Sequence, residues 1–374
     1  MKRMLLFGLI VCLCLAAWSG AALGEAAEEA ASMTAEEFFQ AAKDVFSAND
    51  YEKAVEYYQL AADQGYVDAM FNLGIMYQSG NGVAQDFAKA LEYFQMAADQ
   101  GDHEAMALVG DFYNFGYGAA QDYEKAREYY QMAADLGNGK AMCNLGVMYF
   151  DGRGVEQSSE KAFEYYSQGA EHGDGFAQAN LASMYYFGEG VAQDFAKALE
   201  YARMSMDRGV SDGALLLGDL YAQGKGVAQD YTKALEYYQK ALELNPVNCG
   251  ALDALGDLYA EGNGVAQDFA KAIEFFQKSV DNGQDMSYYG IGYLYANGQG
   301  VEQDYEKALE CYQKALDAGN EYAYTGYGDL YANGIGVKQD YEKAAEYYRK
   351  AIEAGDPMAA ERLNRLIEEG HIQQ

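Results

Sequence analysis

An Asp set just ahead of an aromatic residue returns at a near-constant interval along this chain, and no other feature constrains the fold as tightly. It stands at Asp50, Asp86, Asp122, Asp194, Asp230, Asp268, Asp304 and Asp340, with Ser158 taking its place once. Every interval is 36 residues except the one from Asp230 to Asp268, which is 38. The two extra residues fall within Glu243–Asn248, which holds Pro246, one of only 2 prolines in 374 residues. A period of this length means stacked copies of one small supersecondary unit, each unable to bury its apolar face without a neighbour. Division into two or three globular domains, the usual expectation for this length, therefore does not apply.

Each period holds two helical patterns. The first is A-x-x-x-L-G-x-x-Y, as in Ala69 to Tyr77, where Leu73, Gly74 and Tyr77 share one helix face. Glycine in a helix interior costs about 1 kcal/mol against alanine. It nevertheless recurs at Gly74, Gly110, Gly146, Gly218, Gly256, Gly292 and Gly328, with Ala182 in the remaining unit. Such regularity implies a close helix–helix contact that admits nothing larger than a methyl group. Gly-x-Gly-Val-x-Gln-Asp follows, as in Gly80 to Asp86: glycine stops the first helix, valine plugs the loop into the core and Asp caps the second helix. The second helix reads aromatic-x-Lys-Ala-x-Glu-Tyr-aromatic-x-x-Ala, and Phe87, Ala90, Leu91, Phe94, Ala97 and Ala98 form an apolar stripe of period near 3.6. Its repeated Glu, such as Glu92 and Glu128, is expected on the solvated face near the Lys three residues earlier.

The combined pattern resembles the Sel-one-like repeat (SLR), a relative of the tetratricopeptide repeat, through eight consecutive units over residues 66–355. The resemblance implies an all-α fold, a right-handed α/α superhelical solenoid of helix-turn-helix repeats. The unit over 34–65 lacks the Gly-x-Gly loop and is closer to a plain tetratricopeptide turn. Thr34-Ala35-Glu36-Glu37 is a capping box that starts the first helix. Residues 356–374 supply a terminal helix and tail, with Arg362 and Arg365 giving the polar outer face a solenoid end requires. Nine helix pairs and this cap make 19 helices.

Ahead of the repeats, Lys2 and Arg3 precede an apolar run from Met4 to Trp18, and Ala22-Leu23-Gly24 fits a cleavage site before Glu25. Residues 1–24 are read as a signal peptide and 25–33 as a disordered linker. The run is too short to span a bilayer, and no later one is longer, so no integral membrane segment is expected after cleavage. The mature protein is expected in the periplasm or outside the cell. Cys143, Cys249 and Cys311 remain after cleavage, far apart and without CxxC spacing, and are read as free thiols.

The chain carries 26 basic and 58 acidic residues, a net charge of −32. Losing Lys2 and Arg3 from the −32 makes the mature chain −34. A polyanion of this size repels phosphate, so nucleic acid is not an expected partner. Near-identical units repeat one group rather than converge unlike ones, so no catalytic residues, metal ligands or cofactor are expected, and the chain is read as a non-enzyme. Gly-x-Gly-Val lacks the Lys-Ser/Thr of a phosphate loop, and His103, His172 and His371 share no ligand spacing. Most of the 35 Tyr occupy consensus packing positions.

In relatives of the tetratricopeptide repeat the first helices line a concave groove. The resemblance places Phe71, Ile75, Asp111, Phe115, Phe150, Tyr186, Phe187, Asp219, Asp257, Tyr289, Tyr293 and Asp329 in it, aromatic in the N-terminal half, acidic with tyrosine in the C-terminal half. The expected function is an exported protein–protein interaction scaffold, a monomer holding a protein or peptide partner, with carboxylates selecting a basic one. A cysteine-rich branch of the same family is β-lactam binding or hydrolysing, but this chain lacks its cysteine pairs. A secreted effector acting on a host protein is the other alternative.

Overall fold

The computed structural model describes residues 33–373. The expected signal peptide and nearly all of the expected linker lie outside the described residues. The chain divides into two compact units, Met1–His172 and Gly173–Gln374. The first contains α1 (Ala35–Ser47), α2 (Tyr51–Asp63), α3 (Val67–Ser79), α4 (Phe87–Ala98), α5 (His103–Phe115), α6 (Tyr123–Asp135), α7 (Gly139–Asp151) and α8 (Ser159–Glu171). The second contains α9 (Gly175–Phe187), α10 (Phe195–Asp207), α11 (Ser211–Gln223), α12 (Tyr231–Leu244), α13 (Cys249–Glu261), α14 (Phe269–Asp281), α15 (Tyr288–Asn297), α16 (Tyr305–Asp317), α17 (Ala323–Asn333), α18 (Tyr341–Glu353) and α19 (Pro357–Glu368). No strand occurs among the described residues. Within each unit consecutive helices pack in chain order, as in a solenoid.

The consensus residues have local causes. The marker Asp caps each second helix: the Asp86 carboxylate accepts from the Lys89 N–H at 3.0 Å, and Ser158 does the same for Lys161 at 3.2 Å. The Gln before it reaches back seven residues to a carbonyl at the end of the first helix, as in Gln85 to Gln78 and Gln121 to Asn114, each at 2.8 Å. One orphan acceptor at each such helix end is thereby satisfied. Gly80 closes α3 in the left-handed conformation, φ 77°. The N-terminal unit turns without glycine, placing Asn49 at φ 63° instead.

Packing between paired helices depends on the first-helix glycine. A Cβ on Gly74 would lie 2.5 Å from Phe94 Cε1, and one on Gly110 or Gly146 would lie 2.5 Å from the ring of Tyr130 or Tyr166. Even a methyl group is excluded wherever the second helix presents an aromatic ring twenty residues on, a tighter limit than the sequence alone suggests. Ala182 is the complement that proves the rule, because the residue twenty positions later is Ala202. The Ala after each consensus Lys, from Ala54 to Ala344, is fully buried.

The consensus Lys does more than accompany a nearby Glu. Lys89 lies over the Tyr77 ring, 5.1 Å from its centroid, and Tyr77 stacks on Tyr93 at 5.5 Å and 9°. Lys125 on Tyr113 on Tyr129, Lys161 on Tyr149 on Tyr165, and Lys233 on Tyr221 on Tyr237 repeat the sandwich. These cation–π stacks tie the two helices of a repeat at its surface, while the Glu residues of the second helices stay exposed.

Two first helices start late. The segment before α15 forms a 3-10 turn, Asp285–Ser287, and Gly290 then meets the face of Phe276. At the chain ends, Thr34 and Glu37 form the expected reciprocal capping box, and Asp356 caps α19 ahead of Pro357 at its first position. Arg362 does not face outward as expected: it turns in to Asp329 at 2.7 Å. Cys249 opens α13.

Candidate functional site

The first helices carry the twelve groove residues: Phe115 and Phe187 end their helices, Phe150 and Tyr186 stand one residue earlier, Phe71 and Tyr289 eight earlier, and the other six four earlier. In the first unit Ile75 and Phe115 are exposed, while Phe71, Asp111 and Phe150 are half-buried. In the second, Phe187, Asp257 and Tyr293 are exposed, Asp219, Tyr289 and Asp329 are half-buried, and Tyr186 is buried. Tyr186 is therefore not an accessible anchor. Its hydroxyl donates to Gln223 at 2.8 Å and accepts from Lys225 at 3.0 Å, and Lys225 lies 4.4 Å from the ring centroid.

Asp111, Asp219, Asp257 and Asp329 occupy one repeat position, directly after the helix glycine. Nineteen residues on, the second helix presents Tyr130, Tyr238, Phe276 and Tyr348. Each of the three tyrosines donates its hydroxyl to the matching Asp at 2.8 Å. Two of these carboxylates also pair with a cation of the same chain. Lys140 lies 2.7 Å from Asp111 and Arg362 2.7 Å from Asp329, and Lys225 favours the ionised form of Asp219. Asn144 adds a donor to Asp111 at 2.9 Å. Burial raises the carboxyls of Asp219 and Asp329 above the usual carboxylate range, opposed by these partners. Asp219 and Asp329 therefore also tie second helices to first ones, so exchanging either would disturb the frame as well as the groove.

Asp257 differs. Phe276 faces it without a hydroxyl, and among the described residues no hydrogen bond or ion pair reaches its carboxyl. It lines a cavity of about 630 Å³ whose other walls include Asp253, Glu261, Tyr289, Tyr293 and Gln299. Asp253, Asp257 and Glu261 are four residues apart on α13 and share its face. Asp257 keeps access to solvent, yet the surrounding walls dehydrate it. That dehydration, followed by the like charges of Glu261 and Asp253, pushes it up to about 7. The Ser287 hydroxyl donates to Asp253 at 2.6 Å, tying the 3-10 turn to α13. A smaller cavity of about 70 Å³ lies in the first unit between Phe115, Asn144 and Arg153.

No group of three or more His, Cys, Asp or Glu is gathered to hold a metal ion among the described residues, and no described helix is long and apolar enough to cross a membrane. Cys143, Cys249 and Cys311 form no disulfide among the described residues.

The tyrosine donors, the lysine stacks and the cup beside Asp257 were not recognisable from periodicity. The donors did leave a signal, a matching of Asp with Tyr nineteen residues later, visible only when the repeats are compared position by position.

The family model described as Sel1 repeat matches nine consecutive segments: 29–66, 67–102, 103–138, 139–174, 175–210, 211–246, 250–284, 285–320 and 321–356. A crystal structure of c5321, a protective antigen present in uropathogenic Escherichia coli strains and displaying an SLR fold, is 35% identical. That match covers 90% of this chain and 72% of that chain, with a TM-score of 0.70. A Sel1 repeat protein from Oxalobacter formigenes is 26% identical over 65% of this chain and 96% of that chain, with a TM-score of 0.59. Among curated proteins none matches the sequence.

Proposed function

Because the chain belongs to the Sel1 repeat family, we propose that it is an exported, non-enzymatic scaffold that binds a polypeptide partner on the exposed ends of its first helices. Sel1 repeat proteins act in protein–protein interaction. The observation that carries the reading is the exposure of aromatic side chains at those ends: Phe115 is 54% and Phe187 63% exposed, each the last residue of its helix. Large apolar side chains left in water serve as anchors once a partner covers them. The net charge of −32 favours a basic partner and adds attraction at a distance. Export rests on the basic start, apolar run and small-residue site of residues 1–24.

The test is capture from a bacterial envelope extract by residues 25–374, compared with Phe115→Ala and Phe187→Ala combined. The variant should lose the partner with its helical signal intact; equal capture would place binding elsewhere. Export is checked by expressing the full chain in a bacterium. A mature periplasmic product starting at Glu25 is expected, and an uncleaved cytoplasmic one would refute it.

A further inference from the structure

The position after the helix glycine carries Asp in four repeats, and three of them show how this chain handles a carboxylate there. Each is given a tyrosine hydroxyl at 2.8 Å, and Asp111 and Asp329 also pair with a cation of the same chain. Asp257 has neither. Phe276 replaces the tyrosine, and no Lys or Arg lines the cavity. The cavity also holds a second unmet acceptor: the Gln299 side-chain oxygen is buried and has no hydrogen-bond partner. A buried acceptor without a donor costs free energy until a ligand supplies one.

We infer that the cup bounded by α13, α14 and α15 receives the cationic side chain, Lys or Arg, of a partner polypeptide, with Asp257 as its counter-ion. This deepens the scaffold reading and rests on it. Asp253 and Glu261 flank Asp257 on the same helix face, so the cup offers three carboxyl groups and no positive one. Its remaining walls suit an organic cation: Tyr289 and Tyr293 present ring surface for a charged nitrogen, and Leu294 covers an aliphatic stem. A hard metal ion would need converging oxygens in place of rings. The cavity, about 630 Å³, has the size of a small-ligand cleft. The 3-10 turn and Gly290 set α15 directly against the Phe276 ring at its floor, where a Cβ on Gly290 would lie 2.8 Å from the ring.

The experiment is calorimetric titration of residues 25–374 at pH 8 and low salt with the blocked peptide Ala-Ala-Lys-Ala-Ala. Controls are the norleucine analogue, which keeps the four-carbon stem but lacks the ammonium group, and pentylamine. The lysyl peptide should bind at least about tenfold tighter than the norleucine peptide, as expected for a charge-assisted contact. Asp257→Asn should weaken it by about tenfold, and Phe276→Tyr, which supplies the missing hydroxyl from within, by about three- to tenfold. Phe276→Tyr keeps the fold because tyrosine fills the matching position in neighbouring repeats, so a loss there cannot be blamed on unfolding. The inference is overturned if lysyl and norleucine peptides bind alike or not at all, or if both variants bind as the parent does. Pentylamine binding as tightly as the peptide would also overturn it, since the source would then be a small free amine. Phe115 and Phe187 do not line the cup, so their capture experiment stands or falls separately.

Discussion

At the residue scale, one position distinguishes a carboxylate that supports the frame from one that is left available. Asp219 receives the Tyr238 hydroxyl, whereas Asp257 faces Phe276. Tyr238→Phe should leave Asp219 without that donor and cost about 1–3 kcal/mol in urea unfolding. Phe276→Tyr should do the reverse and stabilise by about 0.5–1.5 kcal/mol at pH 8. Asp257 also predicts a pH dependence. Its folded-state carboxyl is raised to about 7, above the roughly 3.9 of an unfolded Asp. Between these values the folded chain keeps a proton that the unfolded chain has released, so this group's contribution falls as pH rises and is level above 7. Asp257→Asn removes that loss. The melting temperature of the variant relative to its parent should be unchanged near pH 4, climb to about pH 7 and level off by pH 8. A constant difference across that range would mean an ordinary carboxyl.

At the element scale, the helix pair is set by a steric match between glycine and an aromatic ring. Gly146→Ala should destabilise by about 1–3 kcal/mol through overpacking against Tyr166, although alanine is the better helix former. Tyr166→Ala should cost about 3–5 kcal/mol through the cavity it leaves. Together they recreate the natural pair Ala182 and Ala202, so the double variant should lose less than the sum by about 1–3 kcal/mol. Additive losses would show that the two side chains do not share one space. Glycine was legible in the sequence as a mark of close approach. Its partner was not, because the rings recur at consensus positions whatever they touch, and only the helix crossing brings residues twenty apart into contact.

At the scale of the whole molecule, repetition leaves each stretch of chain in contact with its neighbours. Cys143, Cys249 and Cys311 stand in three different repeats, and thiol titration of denatured, unreduced residues 25–374 should give three equivalents; one equivalent would reveal a disulfide. The sequence by itself determined the helix pairs, the caps of the second helices and the stacking of like units, because periodicity and capping are local and recur nine times. It also picked out the positions that vary, such as Asp219, Asp257 and Asp329. Which of them are free was decided only by the tertiary structure. Whether a carboxylate meets Tyr238, Arg362 or nothing depends on side chains nineteen or thirty-three residues away, placed by packing between helices. The same holds for Tyr186, whose aromatic character was plain in the sequence but whose burial follows from Gln223 and Lys225 closing over it.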